Sequence, residues 1–365
     1  MARARSGRAY AGKVCARSGI CRLLFALAAV AIVCLQSPLA RADRPRLGIG
    51  VHLHGKSRGV IDRQLQLAAD AGATIIRWDA PWAAVEREVG HYSVFSTWDY
   101  IVDRARALGM ESLIILDYGN PLYDRGGKPT SQAAVAGFAA YAKFMVAHFK
   151  DRVPYFQIWN EWNGHAGKTK PGTLDGYLRL ERATCEQVKS VSSSAQFVVG
   201  SFSTTAYNSL LAVDKRETLF DQYLRSPPTQ CADVLALHPY DVYRRGALSP
   251  PKGFGEILSA TSSAIRAHQC LRKRPIFITE IGWSTASNSP FGVSETIQAA
   301  LLKRAILAAE QRGVAALFIY TLLDGPDKNS TEDNFGIYRI DGTAKPAVAM
   351  LQAMSRATAA TPTRN

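Results

Sequence analysis

The stretch YFQIWNEWN, residues 155 to 163, is a largely apolar run that ends in Asn160 and Glu161. Runs of this kind recur along the chain, and each is followed by a segment whose apolar residues have helical spacing. This alternation is typical of consecutive βα units around a parallel sheet, whose strands are buried on both faces. Seven further runs occupy residues 47–54, 74–79, 111–117, 195–202, 234–240, 275–282 and 315–324.

Eight strands alternating with eight helical segments predict an α/β fold, a closed (β/α)₈ TIM barrel in a single domain. The predicted helices lie near residues 60–71, 98–109, 131–150, 175–192, 217–224, 253–269, 294–312 and 344–354. An open doubly wound sheet is the alternative, and it would place a GxGxxG phosphate loop after the first strand. Gly48, Gly50 and Gly55 do not form that motif, so the barrel is favoured.

Composition is that of an ordinary globular protein, because 47% of the 365 residues are hydrophobic and 20% are charged. These fractions exclude collagen, low-complexity disorder and a disulfide miniprotein. The net charge of +14 includes seven Arg and Lys residues in the acid-free segment 1–42, and removing those seven charges leaves +7. The remaining excess is spread widely, so nucleic-acid binding is not expected, although a basic mouth would suit an acidic polysaccharide.

Residues 1–42 are predicted to be a signal peptide, with a basic start, an apolar run over 23–35 and a small-x-small site at 40–42. A catalytic domain over 43–357 and a flexible tail over 358–365 would follow. An uncleaved anchor is the alternative, but the run falls short of the ~20 residues that span a bilayer. We therefore expect a periplasmic or secreted monomer without stable membrane insertion.

Polar residues concentrate where the predicted strands end, which is where a barrel carries its catalytic groups. Glu161 and Glu280 are both delivered by apolar strands, and burying two carboxylates without a purpose would be costly. Glycosidic cleavage needs such a pair, one to protonate the leaving oxygen and one to attack or stabilise the anomeric carbon. The other predicted site residues are His52, His54, Arg77, Tyr118, Asn120, Asn160, Trp162, His238, Tyr240, Trp283 and Tyr320.

Two motifs carry a resemblance to a known group of enzymes. WNEWN at 159–163 and ITEIGWST at 278–285 resemble the fourth-strand and seventh-strand motifs of clan A retaining glycoside hydrolases, which are (β/α)₈ barrels. The resemblance covers residues 47–354 and is strongest to families 5 and 39, including exopolysaccharide-cluster glycosidases of Gram-negative bacteria. The chain departs from the clan at the eighth strand, where Tyr320 or Leu322 stands in place of a frequent Trp.

The resemblance implies a role for each matching residue. Glu161 would be the general acid/base and Glu280 the nucleophile, while Asn160 would bind the sugar 2-hydroxyl. Arg77 would lie near the nucleophile, and Tyr240 would donate a hydrogen bond from the sixth strand. An Arg⁺ and a phenol favour an ionised nucleophile, whereas tryptophans beside Glu161 would favour a protonated acid.

The implied function is an exported retaining glycosidase that cleaves β-linkages inside a polysaccharide by double displacement. Two alternatives stay open, a barrel that binds glycan without cutting it and a transglycosylase. Aromatic residues in the loops after strands could stack on sugar rings or could simply cap the core. They are Trp82, Trp162, Trp283, Tyr118, Tyr123 and Tyr243, of which Trp283 is the preferred candidate.

Neither a cofactor nor a metal is expected. His52, His54 and His238 lack a His-x-x-x-His or paired-carboxylate pattern that would make three metal ligands convincing.

Three cysteines follow the leader, namely Cys185, Cys231 and Cys270, and their spacing matches no zinc motif. In a βα unit Cys231 and Cys270 would both lie at the N-terminal face of the barrel, whereas Cys185 reads as a mid-helix residue. We expect a Cys231–Cys270 disulfide, with three free thiols as the alternative.

Overall fold

A computed structural model describes residues 44–192, 194–211, 218–227, 231–241 and 252–359 of the chain. The predicted signal peptide, residues 1–42, and most of the predicted tail lie outside the described residues, as does Tyr243. The last helix continues to Ala359, two residues past the predicted end of the catalytic domain at residue 357. In the parts of the chain that are described, no helix combines the length and the apolar character needed to cross a membrane.

Eight parallel strands of the described chain close into a barrel, which confirms the predicted fold. Each strand pairs with its neighbours in chain order, and the first strand pairs with the last. We number them β1 Arg46–Gly50, β2 Ile75–Pro81, β3 Glu111–Asp117, β4 Tyr155–Ile158, β5 Gln196–Val199, β6 Val234–Leu237, β7 Ile276–Ile281 and β8 Ala316–Ile319.

One main helix follows each strand. These are α1 Arg58–Asp70, α2 Ser96–Ala107, α3 Gln132–His148, α4 Leu174–Val188, α5 Leu219–Arg225, α6 Lys252–Ala267, α7 Glu295–Gln311 and α8 Pro346–Ala359. Hydroxyl side chains begin several of them, because Ser131, Thr173 and Ser294 accept hydrogen bonds from backbone N–H groups of the first turn. A hairpin of Glu86–Glu88 and His91–Tyr92 is an addition that the sequence pattern did not predict.

The barrel interior is apolar in its lower half, by which we mean the part below the C-terminal ends of the strands. Side chains from six of the eight strands meet there in one buried cluster of Ile75, Leu113, Ile115, Val198, Val234, Ala236, Phe277, Ala316 and Phe318. Side chains alternate along a strand, so Arg77 and Asp79 follow Ile75 on the same inward side of β2. Likewise Asp117 follows Leu113 and Ile115 on β3. The C-terminal ends of the strands therefore bring charged groups together above an apolar floor.

The predicted disulfide is wrong. Cys185 and Cys231 form the bond, with their Cα atoms 5.5 Å apart, while Cys270 is a free, half-buried thiol. Helix α4 ends at Val188, so Cys185 lies in its last turn and not in mid-helix. That turn reaches the N-terminal face of the barrel, where the segment leading into β6 also begins.

Candidate active site

A cavity of about 720 Å³ opens at the C-terminal ends of the strands. This is the end of a (β/α)₈ barrel where active sites lie. Its lining combines carboxylates, hydroxyls and aromatic rings, namely His52, Arg77, Asp79, Tyr118, Asn160, Glu161, Ala166, Ser203, Thr204, Thr205, Tyr240, Glu280, Tyr320, Glu332 and Phe335.

Glu280 is held by two hydrogen-bond donors. Arg77 Nη1 donates to its Oε1 at 2.7 Å, and the Tyr240 hydroxyl donates to its Oε2 at 3.2 Å. Burial by itself raises the pKa of Glu280. The charges of His238 and Arg77 and the two hydrogen bonds outweigh burial, so the pKa lies below its ordinary value. Glu280 is therefore ionised at neutral pH.

Glu161 enters the cavity on a strained backbone. Trp159 and Glu161 both have positive φ, 62° and 47°, a conformation that costs side-chain-bearing residues about 1–3 kcal/mol. This backbone is held by β3, where Leu116 O accepts from Trp159 N–H, and by the segment after β5, where Ser201 O accepts from Glu161 N–H. Strain of this kind collects at functional sites, where the surrounding fold enforces it.

His238 lies between the two carboxylates. Its Nδ1 is 3.0 Å from Glu161 Oε1 and 3.9 Å from Glu280 Oε2, and its Nε2 is 2.9 Å from Thr279 Oγ1. Oxygen and nitrogen atoms of Glu161, His238 and Glu280 all lie within 4.8 Å of one another. His238 was predicted to contact substrate, but it is fully buried and contacts the carboxylates instead.

Three such groups could in principle ligate a metal ion. The Arg77 guanidinium already touches Glu280, however, and its charge would repel a divalent cation at this place. The arrangement fits charged catalytic side chains better than a metal centre.

Arg77 organises the floor of the cavity through three bonds. Besides Glu280, its Nη2 donates to Asn160 Oδ1 at 2.9 Å and its Nε donates to Gln157 Oε1 at 3.0 Å. Asn160 Nδ2 in turn donates to the Tyr118 hydroxyl at 3.2 Å. Gln157 was missed at the sequence level, where the signal was one amide within the apolar run of β4.

Most predicted site residues line this cavity. It brings together Glu161, Glu280, His52, Arg77, Tyr118, Asn160, Tyr240 and Tyr320, and His238 lies beneath them. Six further residues line the cavity, and no role was predicted for them: Asp79, Ser203, Thr204, Thr205, Glu332 and Phe335. The hydroxyls follow β5, whose end carried no charged residue to draw attention.

Two of the predicted aromatic candidates, Trp283 and Trp162, lie outside the cavity lining. Trp283 is buried, and its indole N–H donates to Asp241 Oδ1 at 3.2 Å. Trp162 is also buried, and its indole N–H donates to Thr173 O at 2.7 Å. Because each ring is already packed and hydrogen-bonded, both tryptophans belong to the core that supports the loops, and the expectation that they stack on sugar is corrected.

Two polar candidates also lie outside the cavity. Asn120 is buried, where its side chain bonds Glu86 O and Leu122 N–H and so shapes the loop after β3. His54 packs edge-on against Phe95 and Trp98 at the start of α2. Their predicted substrate contacts are corrected, since both side chains serve local structure.

Residues 48–318 match the family described as Cellulase (glycosyl hydrolase family 5), and that range is most of the chain. The chain belongs to glycosyl hydrolase family 5. Members of this family are glycosidases, so the predicted relation to clan A glycoside hydrolases is confirmed.

The family 5 chain is also similar to solved structures of other glycosidases. A family 39 glycoside hydrolase from Bacteroides cellulosilyticus WH2 gives a TM-score of 0.69 at 23% identity, over 86% of this chain and 64% of that one. A monomeric β-xylosidase from Caulobacter crescentus CB15 gives 0.65 at 17%, over 87% and 70%. A GH5_18 protein from Streptomyces cattleya in complex with GlcNAc gives 0.67 at 16%, over 88% and 82%.

Because the sequence identities are below 25%, the similarity to these structures shows a shared fold. This chain spans less than two thirds of the family 39 structure. None of the curated protein sequences compared with it matches.

Proposed function

We propose that this protein is an exported retaining glycosidase that cleaves β-linkages inside a polysaccharide, with Glu280 as nucleophile and Glu161 as general acid/base. The short distance between the two carboxylates supports the proposal most strongly. One oxygen of Glu161 lies within 4.8 Å of one oxygen of Glu280. Retaining enzymes hold these groups about 5–5.5 Å apart, whereas inverting enzymes need about 6.5–9.5 Å to admit a water between them. The spacing here favours direct attack on the sugar.

In the first step a Glu280 oxygen attacks the anomeric carbon and forms a covalent ester. The glycosidic oxygen takes the proton of Glu161 and leaves with the rest of the chain. Arg77 and Tyr240 support this role because both stabilise the ionised form of Glu280. Asn160 would bind the sugar 2-hydroxyl, and its hydrogen bond from Arg77 supports this role because it fixes the side chain.

In the second step Glu161 acts as a base. It takes a proton from water, the oxygen of that water attacks the anomeric carbon, and Glu280 is released as a carboxylate. The exposure of the two side chains supports this division, because Glu161 is 24% exposed and Glu280 is 11% exposed. The residue that must meet the leaving group and then water is the more accessible one.

Internal cleavage is supported by a cavity that continues on both sides of the carboxylates. Ser203, Thr204 and Thr205 lie on one side, and Tyr320 and Phe335 lie on the other. Sugar units could therefore be bound before and after the scissile bond.

Export is supported by the predicted signal peptide and by the Cys185–Cys231 disulfide, a bond that persists in oxidising compartments. The titles of similar structures name a β-xylosidase and an exo-β-1,4-mannosidase, so they do not single out one sugar for this chain.

A panel of β-linked polysaccharides, followed by chromatography and by proton NMR of the first product, tests the proposal. We expect oligosaccharides of many lengths early in the reaction and the β-anomer as the first product. An α-anomer would contradict retention, and monosaccharide alone would contradict internal cleavage. Products longer than the substrate would indicate transglycosylation, and binding without products would indicate a non-catalytic barrel. Glu280→Gln is the matched inactive control.

A further inference from the structure

A buried lysine joins two loops at the C-terminal face of the barrel. Lys128 lies in the loop between β3 and α3, and only 6% of the residue is exposed. Its ammonium group donates hydrogen bonds to three oxygens of the loop after β4, namely Gly164 O at 3.1 Å, Lys170 O at 2.8 Å and Thr169 Oγ1. An ammonium group has three N–H donors, so the single segment 164–170 uses all of them.

The charge of Lys128 is held among neutral groups. Besides the three oxygens, the described partners of its ammonium group are the rings of Trp159 and Trp162, whose centroids lie 6.0 and 5.9 Å away. Burial lowers the pKa of Lys128 to about 8, so the group is still mostly charged at neutral pH. A buried charge that lacks a counter-ion lowers the stability of a fold. The presence of Lys128 therefore points to a role other than stabilising the barrel.

The loop that carries Lys128 is itself anchored. Asp124 Oδ2 accepts hydrogen bonds from Thr130 N–H at 2.7 Å and from Ser131 N–H at 2.9 Å, and Ser131 caps the start of α3. The lysine side chain therefore extends from a fixed turn, and its three bonds fix the segment 164–170 relative to that turn.

The segment 164–170 contributes to the lining of the cavity. The Thr169 hydroxyl, which accepts from Lys128, donates in turn to Ala166 O at 2.9 Å, and Ala166 lines the cavity. Gly167 lies against the ring of Tyr118, so closely that an added Cβ would come within 2.5 Å of it. Small shifts of the segment would therefore change the shape of the cavity wall.

The residue that precedes the segment extends the arrangement to the next loop. Asn163 Oδ1 accepts from Ser203 N–H at 2.8 Å, and its Nδ2 donates to Thr205 Oγ1 at 2.9 Å. Ser203 and Thr205 also line the cavity. Lys128, which is not among the described lining residues, is thus linked through one stretch of chain to three residues that are.

We propose that Lys128 is a positioning residue that fixes the segment 164–170 and thereby shapes the part of the cavity that receives the leaving group. The orientation rests on the proposed function, in which Glu161 follows β4 and contacts the oxygen of the leaving group. A sugar that leaves would lie against Ala166, Ser203 and Thr205, whereas a leaving group of one atom would not reach them.

Hydrogen exchange tests the positioning role without any substrate. In Lys128→Met the amides of residues 163–172 should exchange at least about 10-fold faster than in wild type, because the segment loses its three bonds to the neighbouring loop. Peptides from β1 and β7 should exchange as in wild type, which shows that the barrel is folded. Unchanged exchange over residues 163–172 overturns the role of Lys128.

Lys150→Met is the matched control. It removes an exposed lysine that follows α3, so it changes the net charge by the same amount and should leave exchange over residues 163–172 as in wild type. An equal increase in both variants would show that lost charge, and not a lost contact, loosens the segment, and it would overturn the inference.

Kinetics with matched substrates test the link to the leaving group. The tetrasaccharide of a polysaccharide that wild type cleaves is compared with the β-fluoride of the corresponding disaccharide, whose leaving group is a single fluoride ion. Lys128→Met should raise KM for the tetrasaccharide about 10-fold and change kcat/KM for the fluoride by less than about 3-fold. A merely structural role would lower both activities together.

Thr169→Val tests the same contact from the side of the segment. It removes the hydroxyl that joins Lys128 to Ala166, so KM for the tetrasaccharide should rise about 3-fold while the fluoride is turned over as in wild type. The two variants should be less than additive when combined, because both break one contact. Full additivity overturns the shared contact. If Lys128→Met does not fold, the split between substrates in Thr169→Val decides the inference.

The outcomes separate this inference from the proposed function. Faster exchange over residues 163–172 with equal losses on both substrates overturns the link to the leaving group and leaves the glycosidase proposal standing. Absence of turnover of every sugar by wild type overturns the proposed function, whereas the exchange measurement still decides whether Lys128 holds the segment.

Discussion

The lower and upper halves of the barrel interior are built from the same strands and have opposite characters. On β2, Ile75 belongs to an apolar cluster, and two residues further on Arg77 bonds Glu280. On β3, Leu113 and Asp117 repeat the contrast. Apolar burial stabilises the fold, whereas each buried charge lowers stability unless it is paired. The apolar lower half therefore stabilises the barrel. The buried charges of the upper half lower its stability, but they supply the groups that the proposed reaction needs.

The largest effect is expected for Glu280→Ala. Removal of the nucleophile should lower kcat by about 10⁴-fold or more, because no covalent intermediate can form. Added azide should restore part of the activity by entering the space left by the side chain and yielding a glycosyl azide of inverted configuration. Steady-state kinetics with product NMR measures both effects. Wild-type rates in this variant would show that the upper half is not catalytic as described.

Glu161→Ala should affect substrates unequally. Substrates with a poor leaving group should lose about 10²–10⁴-fold, since they need protonation. Dinitrophenyl glycosides should still form the intermediate, which a rapid burst of dinitrophenol would reveal. Equal losses on both kinds of substrate would speak against an acid/base role.

Phe318→Ala tests the lower half. Phe318 is fully buried at the barrel axis, so its truncation should lower the free energy of unfolding by about 3–5 kcal/mol. At low temperature the folded variant should keep kcat within a few-fold of wild type. Denaturant titration and kinetics on the same preparation check the pair of results. A large loss of kcat with an unchanged free energy of unfolding would contradict the assignment of stability to the lower half and catalysis to the upper half.

Cys185→Ser should act only on stability. The bond to Cys231 spans 46 residues of sequence, and its loss should lower the free energy of unfolding by about 2–4 kcal/mol. Cys270→Ser is the control and should change little, because that thiol is free. One reactive thiol in the denatured, unreduced protein is expected from these three cysteines, whereas three would exclude the bond.

The smallest expected effect is that of Tyr240→Phe. It removes one donor to Glu280, worth about 10–100-fold in kcat/KM. The hydrogen bond helps to keep the pKa of Glu280 low, so its loss should move the acidic limb of the pH profile to higher pH. Profiles of wild type and variant at equal ionic strength measure the shift. A limb that moves to lower pH would contradict the assignment.

The barrel and its two carboxylates were predictable because they depend on local patterns. An apolar run marks each strand in the sequence, and the C-terminal ends of the strands meet at one face in any such barrel. Partners across the barrel were not predictable. Gln157 could not be linked to Arg77, nor His238 to Glu161, because strand curvature and loop paths set those contacts. Trp283 looked available for sugar until the structure showed Asp241 bonding its indole.

The disulfide prediction was wrong for a related reason. The order of strands and helices placed Cys231 and Cys270 at the same face of the barrel. Which cysteine pairs with Cys231, however, depended on where α4 ends. A difference of a few residues in that boundary moved Cys185 to the same face and within reach of Cys231.

Trapping the covalent intermediate would show which carboxylate attacks the sugar. The protein is incubated with dinitrophenyl 2-deoxy-2-fluoro-β-glycosides, digested, and sequenced by tandem mass spectrometry. We expect a single label on Glu280, formed also in Glu161→Ala and absent in Glu280→Gln. A label on Glu161 or Asp79, or none with a sugar that the enzyme cleaves, would contradict it.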